Sequence, residues 1–209
     1  MSVAVMEADS TPETGEPTPT AGQNGNLLRT WQELDVPDGW RAEIIDGEIR
    51  LMAPPSKAHN VAVARIARAL ERVIPDEWLC YPTPGIIIAQ LNEVYTPGLV
   101  VMPEDLAFDG SADPARAEDA LLAVEVAAKN NAYRDRVIKL RGYVHGQVPL
   151  YLLVDRWARP EPSVTLYEQP ENGRYMKTTT VPFGKSIRLP EPFDVEFDTA
   201  SLPPVEKWL

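Results

Sequence analysis

One charged residue, Glu125, stands inside the apolar run at positions 121–128. A carboxylate in a buried strand costs several kcal/mol of desolvation free energy unless a partner compensates its charge. A metal ion or a cationic side chain close to Glu125 would provide that compensation. The alternative is that the strand lies at the edge of a sheet and that Glu125 faces water. Position in the sequence leaves both interpretations open.

Basic residues gather in two stretches of the chain, although the net charge is −11. They are Arg50, Lys57, Arg65, Arg68 and Arg72, followed by Lys129, Arg134, Arg136, Lys139 and Arg141. The local distribution of charge matters more for phosphate binding than the total charge does. Together the two stretches predict a basic groove, whereas each side chain taken alone is typical of a solvated helix face.

Length and composition predict a single domain with a tail. The chain has 209 residues, 44% of them hydrophobic, which is enough for one core. Residues 1–25 carry four acids, no Lys or Arg, and many Pro, Thr and Gly, so we expect a disordered tail followed by one domain over residues 26–209. The single cysteine, Cys80, rules out an internal disulfide and favours a cytoplasmic location. No apolar run is long enough to predict a membrane span.

The first half of the domain predicts helix, hairpin and helix. Thr30 and Glu33 have the spacing of a capping box, which predicts a short helix that ends before Pro37. Residues 40–52 predict a β-hairpin that turns at Asp46 and Gly47. Residues 58–74 carry apolar side chains at helical spacing, so we expect an amphipathic helix with one face in the core.

The second half predicts short strands around one more helix. The predicted strands are 85–91, 99–102, 105–108, 121–126, 148–155, 163–168 and 174–181. The predicted helix covers residues 131–145 and ends at Gly146, with Tyr133, Val137, Leu140 and Val144 as its buried stripe. This order of elements indicates an α/β fold with a central mixed β-sheet flanked by helices.

Several motifs, taken in order, resemble a known family. They are residues 43–49 (EIIDGEI), Pro54-Pro55-Ser56 with His59, Pro103-Glu104-Asp105-Leu106-Ala107-Phe108, Val124-Glu125-Val126, Asp135-Arg136 with Lys139, and VPLYLLVD. The chain resembles the Uma-type family of putative restriction endonucleases, in the PD-(D/E)XK nuclease superfamily, over about residues 30–195. The resemblance implies a restriction-endonuclease-like core and a metal-dependent endonuclease that hydrolyses phosphodiester bonds in DNA.

The resemblance also implies roles for individual residues. Asp105 and Glu125 are the expected metal ligands, and the backbone carbonyl of Val126 is a third. Glu43 matches a glutamate that completes the metal shell, and Lys139 takes the role of the superfamily's lysine. Oxygen ligands of this kind suit Mg²⁺ or Mn²⁺, which activates water and neutralises charge on the phosphate. A nearby lysine then orients water or stabilises the oxyanion.

The sequence departs from the family pattern at two places. Glu104 separates Pro103 from Asp105, so either acid is a candidate ligand, and alternation favours Asp105 only if Leu106 faces the core. Ala127 and Ala128 follow the glutamate strand where many relatives have a hydroxyl residue. The alternative function is therefore a catalytically inactive DNA-binding or interaction module derived from a nuclease. By analogy with other restriction-like nucleases, a homodimer is also expected, with apolar late strands near Val164 and Leu166 as its support.

Overall fold

A computed structural model describes residues 21–107, 114–129 and 132–208 of the chain. The helices are α1 (Ala21–Gln32), α2 (Lys57–Leu70), α3 (Glu104–Ala107), and a π-helix (Arg134–Lys139) that continues into α4 (Leu140–His145). The strands are β1 (Arg41–Ile45), β2 (Glu48–Met52), β3 (Trp78–Pro82), β4 (Ile86–Ile88), β5 (Glu93–Tyr95), β6 (Leu99–Pro103), β7 (Ala115–Arg116), β8 (Leu122–Val126), β9 (Leu150–Asp155), β10 (Ser163–Glu171), β11 (Arg174–Pro182), β12 (Ser186–Leu189) and β13 (Val195–Asp198).

The first helix begins earlier than the capping-box spacing predicted. Thr30 lies near the end of α1, where its hydroxyl donates to the carbonyl oxygen of Asn26 at 2.8 Å, so it does not cap a helix start. The predicted boundary at residue 25 falls inside α1, and most of the predicted tail, residues 1–20, lies outside the described residues.

The predicted hairpin is confirmed. Strands β1 and β2 pair in antiparallel register from Arg41 opposite Met52 to Ile45 opposite Glu48. Asp46 and Gly47 both have positive φ, at 51° and 75°, as a two-residue turn with the twist of its strands requires. This hairpin belongs to a sheet with the strand order β2-β1-β5-β4-β7.

A larger mixed sheet has the strand order β11-β10-β9-β8-β6-β3. Strand β8 runs parallel to β9 and antiparallel to β6, so it lies in the interior of the sheet with a neighbour on each side. One face packs against α2, which buries Ala58, Ala62, Ile66 and Leu70. The other face packs against the tyrosines and alanines of a second core cluster. The predicted α/β fold with mixed sheets and flanking helices is therefore confirmed.

The predicted buried stripe of the helix over residues 132–145 is confirmed at Val144 and in part at Leu140, which packs against the core, but not at its first two positions. Tyr133 and Val137 are 68% and 46% exposed, although the periodicity predicted that they were buried. The buried positions before Gly142 are instead Ala132, Asp135 and Lys139. The helical spacing of apolar residues gave a wrong prediction for Tyr133 and Val137. The sheet face opposite this helix carries the Glu125 carboxylate, so the helix places Lys139 there instead.

The described part of the predicted strand over residues 105–108, residues 105–107, is not a strand. Glu104–Ala107 form α3, a single helical turn at the end of β6, and Leu106 is 40% exposed. The condition that favoured Asp105 over Glu104, a core-facing Leu106 in a strand, is therefore not met. Phe108 lies outside the described residues.

The late strands continue the large sheet. Val164 and Leu166 are fully buried in the core, and β10 already has a strand on each side, so these residues do not provide the dimer surface expected of them. Strand β11 has the free edge on this side of the sheet. Among the helices of the described residues, none has the length and apolar character needed to cross a membrane.

Candidate functional site

A cavity of about 590 Å³ opens between the β1–β2 hairpin, the start of α2, the end of β8 and the helix over residues 132–145. Its walls include Arg41, Glu43, His59, Glu125, Lys129 and Lys139. Because a buried lysine lies at its floor, we call it the buried-lysine cavity. Glu43, Glu125 and Lys139, three of the residues assigned by resemblance, meet here, and Val126 also lies in its wall.

Glu125 is 5% exposed and lies on β8, an interior strand, so the interpretation of an edge strand facing water is wrong. Its charge partner is Lys139, whose Nζ lies 2.8 Å from Oε1 of Glu125. The Tyr143 hydroxyl donates to the same oxygen at 2.6 Å. Burial raises the pKa of Glu125, and attraction to Lys139 offsets that effect only in part.

Lys139 is the centre of the cluster. Its Nζ lies 2.7 Å from Oε1 of Glu43, 2.8 Å from Oε1 of Glu125 and 3.9 Å from Oδ1 of Asp135. Burial by itself would lower the pKa of Lys139, but the three acids outweigh burial and raise it, so the amine is charged at neutral pH. An ammonium group has three donors, which suits a position among three acids.

Glu43 is held on β1 and is 1% exposed. Its Oε1 also accepts hydrogen bonds from the backbone N–H of Thr96 at 2.9 Å and from the Thr96 hydroxyl at 3.1 Å. Burial raises the pKa of Glu43, but attraction to Lys139 and these hydrogen bonds outweigh it and leave the pKa below 4.5. Glu43 is therefore ionised at neutral pH. Its Oε2 is buried without a hydrogen bond, and Nη1 of Arg134 lies 3.9 Å away.

Two further site residues were not assigned from the sequence. Asp135 and Tyr143 lie four residues before and after Lys139, so all three side chains project from one face of the helix. In the sequence, the signal for these two residues was the recurrence of polar side chains at positions 135, 139 and 143. Burial raises the pKa of Asp135 to about 8, because Lys139 compensates it only in part.

We expect Asp135→Asn to change how stability depends on pH. In the parent the folded-state pKa of Asp135 is raised from 3.8 to about 8, so the folded state binds a proton that the unfolded state releases. This contribution to stability is therefore lost as pH rises between those two values. Asparagine has a similar shape and does not titrate. Thermal unfolding between about pH 5 and about pH 8 should show the midpoint of the variant rising relative to the parent. If the midpoints of the parent and of Asp135→Asn change equally with pH, the raised pKa of Asp135 is contradicted.

Asp105 does not join this cluster, and the predicted pairing of Asp105 with Glu125 is wrong in its geometry. Strands β6 and β8 are antiparallel, with Leu99 opposite Val124 and Val101 opposite Leu122. Asp105 therefore lies beyond the opposite end of β8 from Glu125, more than about 13 Å away along the strand at the usual rise per residue. Asp105 and Glu104 are both exposed, and neither lines the cavity.

Strand β6 begins at Leu99, opposite Val124, and the residue before it in the chain is Gly98. A Cβ atom at Gly98 would lie 3.0 Å from Cγ2 of Val63 and 3.3 Å from the carbonyl oxygen of Val124, so no side chain fits there without a shift. His59 also covers this position, since its Cε1 would lie 3.7 Å from that Cβ. The neighbouring strand therefore supplies no carboxylate to pair with Glu125.

These observations test whether the cavity fits the divalent ion that the resemblance implies. A hard cation takes about six oxygen ligands, several of them from carboxylates. In the described part of the chain, no three His, Cys, Asp or Glu residues are grouped so as to hold a metal ion. The oxygens that Glu43 and Glu125 turn toward each other are bonded to Lys139. The residues do not fit a divalent ion.

His59 lies in the cavity wall as a neutral imidazole. Burial lowers its pKa to about 4, with a further contribution from the positive charge of Arg41. Its Nδ1 is buried without a hydrogen bond. His59 therefore adds an uncharged polar edge to the cavity at neutral pH.

The basic side chains of the two stretches differ in what surrounds them. In the first, Arg65, Arg68 and Arg72 lie on the solvated side of α2 and the turn after it. In the second, Arg136 and Arg141 are bound to acids on neighbouring elements. The cations left at the mouth of the cavity are Arg41 from β1 and Lys129 from the segment after β8, beside the first turn of α2.

The model of the Uma2 family, described as "Putative restriction endonuclease", matches residues 28–202. A solved structure of a putative nuclease belonging to DUF820 from Anabaena variabilis ATCC 29413 is similar in fold, with a TM-score of 0.65 and 12% sequence identity. The match covers 87% of this chain and 98% of that chain. The comparison with curated proteins gave no match.

Proposed function

This chain belongs to the Uma2 family, so its family and fold are those of a nuclease, and we propose that its ligand is the phosphodiester backbone of DNA, bound at the buried-lysine cavity. The observation that carries the proposal is the mouth of the cavity, where cationic side chains and the start of a helix face the same space. Cationic side chains and helix N-termini are the usual protein contacts of nucleic-acid phosphates.

The start of α2 also lines the cavity. Ser56 caps this helix by accepting a hydrogen bond from the backbone N–H of His59 at 3.2 Å, and Pro55 and Ser56 line the cavity. The first backbone N–H groups of a helix lack partners within it and carry partial positive charge. Arg41 and Lys129 add full charges at the same mouth. These positive groups favour an anion at the mouth of the cavity, although Glu43 and Glu125 also line the cavity.

Aromatic side chains in the cavity wall support a nucleic acid over a simple phosphate. Trp157 and Trp208 both line the cavity, and Nζ of Lys129 lies 5.7 Å from the centre of the Trp157 ring. Bases stack on aromatic side chains in proteins that hold single-stranded or unpaired nucleic acid. We therefore propose that a backbone phosphate binds between Lys129 and α2 while the adjacent base contacts Trp157.

We expect Lys129→Ala to weaken DNA binding by about tenfold, since it removes one phosphate contact worth about 1.4 kcal/mol. The slope of log affinity against log salt concentration should fall by about 1 for the same reason. Fluorescence anisotropy with a labelled DNA, titrated with parent and variant at several salt concentrations, measures both quantities.

The matched control for Lys129→Ala is Arg188→Ala. Arg188 is an exposed cation on β12, bound to Asp194 and absent from the cavity wall. Both substitutions remove one positive charge, so they change the net charge equally. Equal losses of DNA affinity in the two variants would mean that binding follows net charge, which contradicts a site at the cavity.

The second candidate function is the Mg²⁺- or Mn²⁺-dependent hydrolysis of DNA that the family resemblance implies, carried by Glu125, Lys139 and Glu43. The observation that favours it is that these three residues, to which the resemblance gives catalytic roles, meet in one cavity. A plasmid-nicking assay with added metal or chelator separates the two candidates. Metal-dependent nicking that Glu125→Gln abolishes establishes hydrolysis, whereas DNA binding without nicking establishes the binding module.

A further inference from the structure

We infer that the ammonium group of Lys139 takes the place of a divalent metal ion in the buried-lysine cavity, so that the resting protein binds no such ion there. This role of Lys139 follows from the residues beside Glu125, from the bonds of Lys139 and from the balance of charge, and it does not depend on DNA as the ligand.

The strand register removes one ligand of the expected pair. Two carboxylates on adjacent strands hold an ion only if their side chains face the same point between the strands. Here the residue before β6 is Gly98, where a Cβ atom would lie 3.0 Å from Cγ2 of Val63 and 3.3 Å from the Val124 carbonyl oxygen. Glycine has no carboxylate, and a side chain at this position would require Val63 on α2 to move.

Lys139 fills the space between the acids that remain. Oε1 of Glu43 lies 2.7 Å and Oε1 of Glu125 lies 2.8 Å from the same Nζ, so one cation already bridges β1 and β8. Lys139 is 4% exposed, and its Nζ also lies 5.7 Å from the centre of the Tyr95 ring. A side chain enclosed in this way cannot turn out of the cavity without breaking both ion pairs in a buried environment, which is costly.

The charges around Lys139 leave little demand for another cation. Two positive groups lie beside Glu43 and Glu125. Lys139 contacts both acids, and Nη1 of Arg134 lies 3.9 Å from Oε2 of Glu43. A divalent ion placed beside Lys139 would meet a like charge in a medium that screens poorly. The unbonded Oε2 of Glu43 is a single ligand with an arginine beside it, which is not enough to hold such an ion.

The test is Mn²⁺ binding by calorimetry, without DNA, on the parent, Lys139→Met and Lys139→Gln. We expect no binding to the parent at millimolar Mn²⁺. We expect at least about a tenfold gain in affinity for either variant, because Glu43 and Glu125 then lack the cation that lies 2.7 Å and 2.8 Å from their oxygens. Thermal unfolding of each protein with and without Mn²⁺ gives a second readout, since an ion that binds only the folded state raises the midpoint. Lys139→Gln retains a donor and serves if Lys139→Met does not fold.

Each outcome bears on the inference. One equivalent of Mn²⁺ bound by the parent and lost in Glu125→Gln would overturn it. Binding by the parent that survives Glu125→Gln places the ion elsewhere and supports the inference for this cavity. If neither Lys139 variant gains affinity for Mn²⁺, the inference is also overturned, because Lys139 would then not occupy the place of a metal ion. These measurements contain no DNA, so their results do not change if the protein fails to bind DNA. The proposed function is therefore tested separately from this role of Lys139.

Discussion

Replacing Lys139 with methionine should lower the free energy of unfolding by about 3–5 kcal/mol, the usual cost of removing one partner from a buried ion pair. Methionine retains the length and apolar stem of lysine, so the loss of charge dominates. Glu43 and Glu125 would then be left 1% and 5% exposed without the cation that lies within 2.8 Å of both. Urea unfolding of parent and variant measures the loss.

The control for Lys139→Met is Lys129→Met at the mouth of the same cavity. Lys129 is exposed, so its replacement should change stability by no more than about 0.5 kcal/mol. A double variant, Lys139→Met with Glu125→Gln, should recover part of the loss because it removes the stranded charge. A loss in Lys139→Met no larger than in Lys129→Met would contradict the burial and pairing of Lys139.

The second large effect is expected at Gly142 in α4, where even one added methyl group meets a buried ring. A Cβ atom at Gly142 would lie 2.2 Å from the hydroxyl oxygen of Tyr95 and 2.3 Å from its Cε2. Tyr95 is fully buried, its hydroxyl donates to Glu93, and its ring packs edge-on against Tyr143. We expect Gly142→Ala to cost about 3 kcal/mol or more, as overpacking of a rigid core does.

Thermal and urea unfolding of Gly142→Ala measure this cost, and Val137→Ala on the same helical segment is the control. Val137 is 46% exposed, so its truncation should cost little. Shortening Tyr95 in the background of Gly142→Ala should restore part of the stability, because it opens the space that the new methyl group needs. If Gly142→Ala is as mild as Val137→Ala, then α4 does not pack against β5 as described.

These expectations show where reasoning from the sequence succeeded. Asp46-Gly47 predicted a tight hairpin because few residues adopt positive φ readily, and both residues have it. The charge of Glu125 within an apolar strand predicted a compensating partner, because the cost of desolvation does not depend on the fold. The order of motifs predicted the family, and the match over residues 28–202 confirms it.

The errors share a physical cause, which is that facing and register depend on elements distant in the chain. Tyr133 and Val137 have helical spacing, yet the helix turns Asp135 and Lys139 inward because Glu125 lies opposite. Asp105 follows a strand that resembles the family motif, yet the antiparallel pairing of β6 carries it away from Glu125. A shift along a strand changes which residues meet across it.

The sequence by itself determined the β1–β2 hairpin, the helix α2, the α/β class, the family and the presence of a buried carboxylate that needs a cation. The choice between a metal ion and an ammonium group came only from the tertiary structure. That choice depends on the register of β6, which carries Asp105 away from Glu125 and places Gly98, a residue without a carboxylate, at the start of the strand. It depends equally on the helix that carries Lys139 to within 2.8 Å of Glu125, a contact between residues that neither periodicity nor spacing specifies.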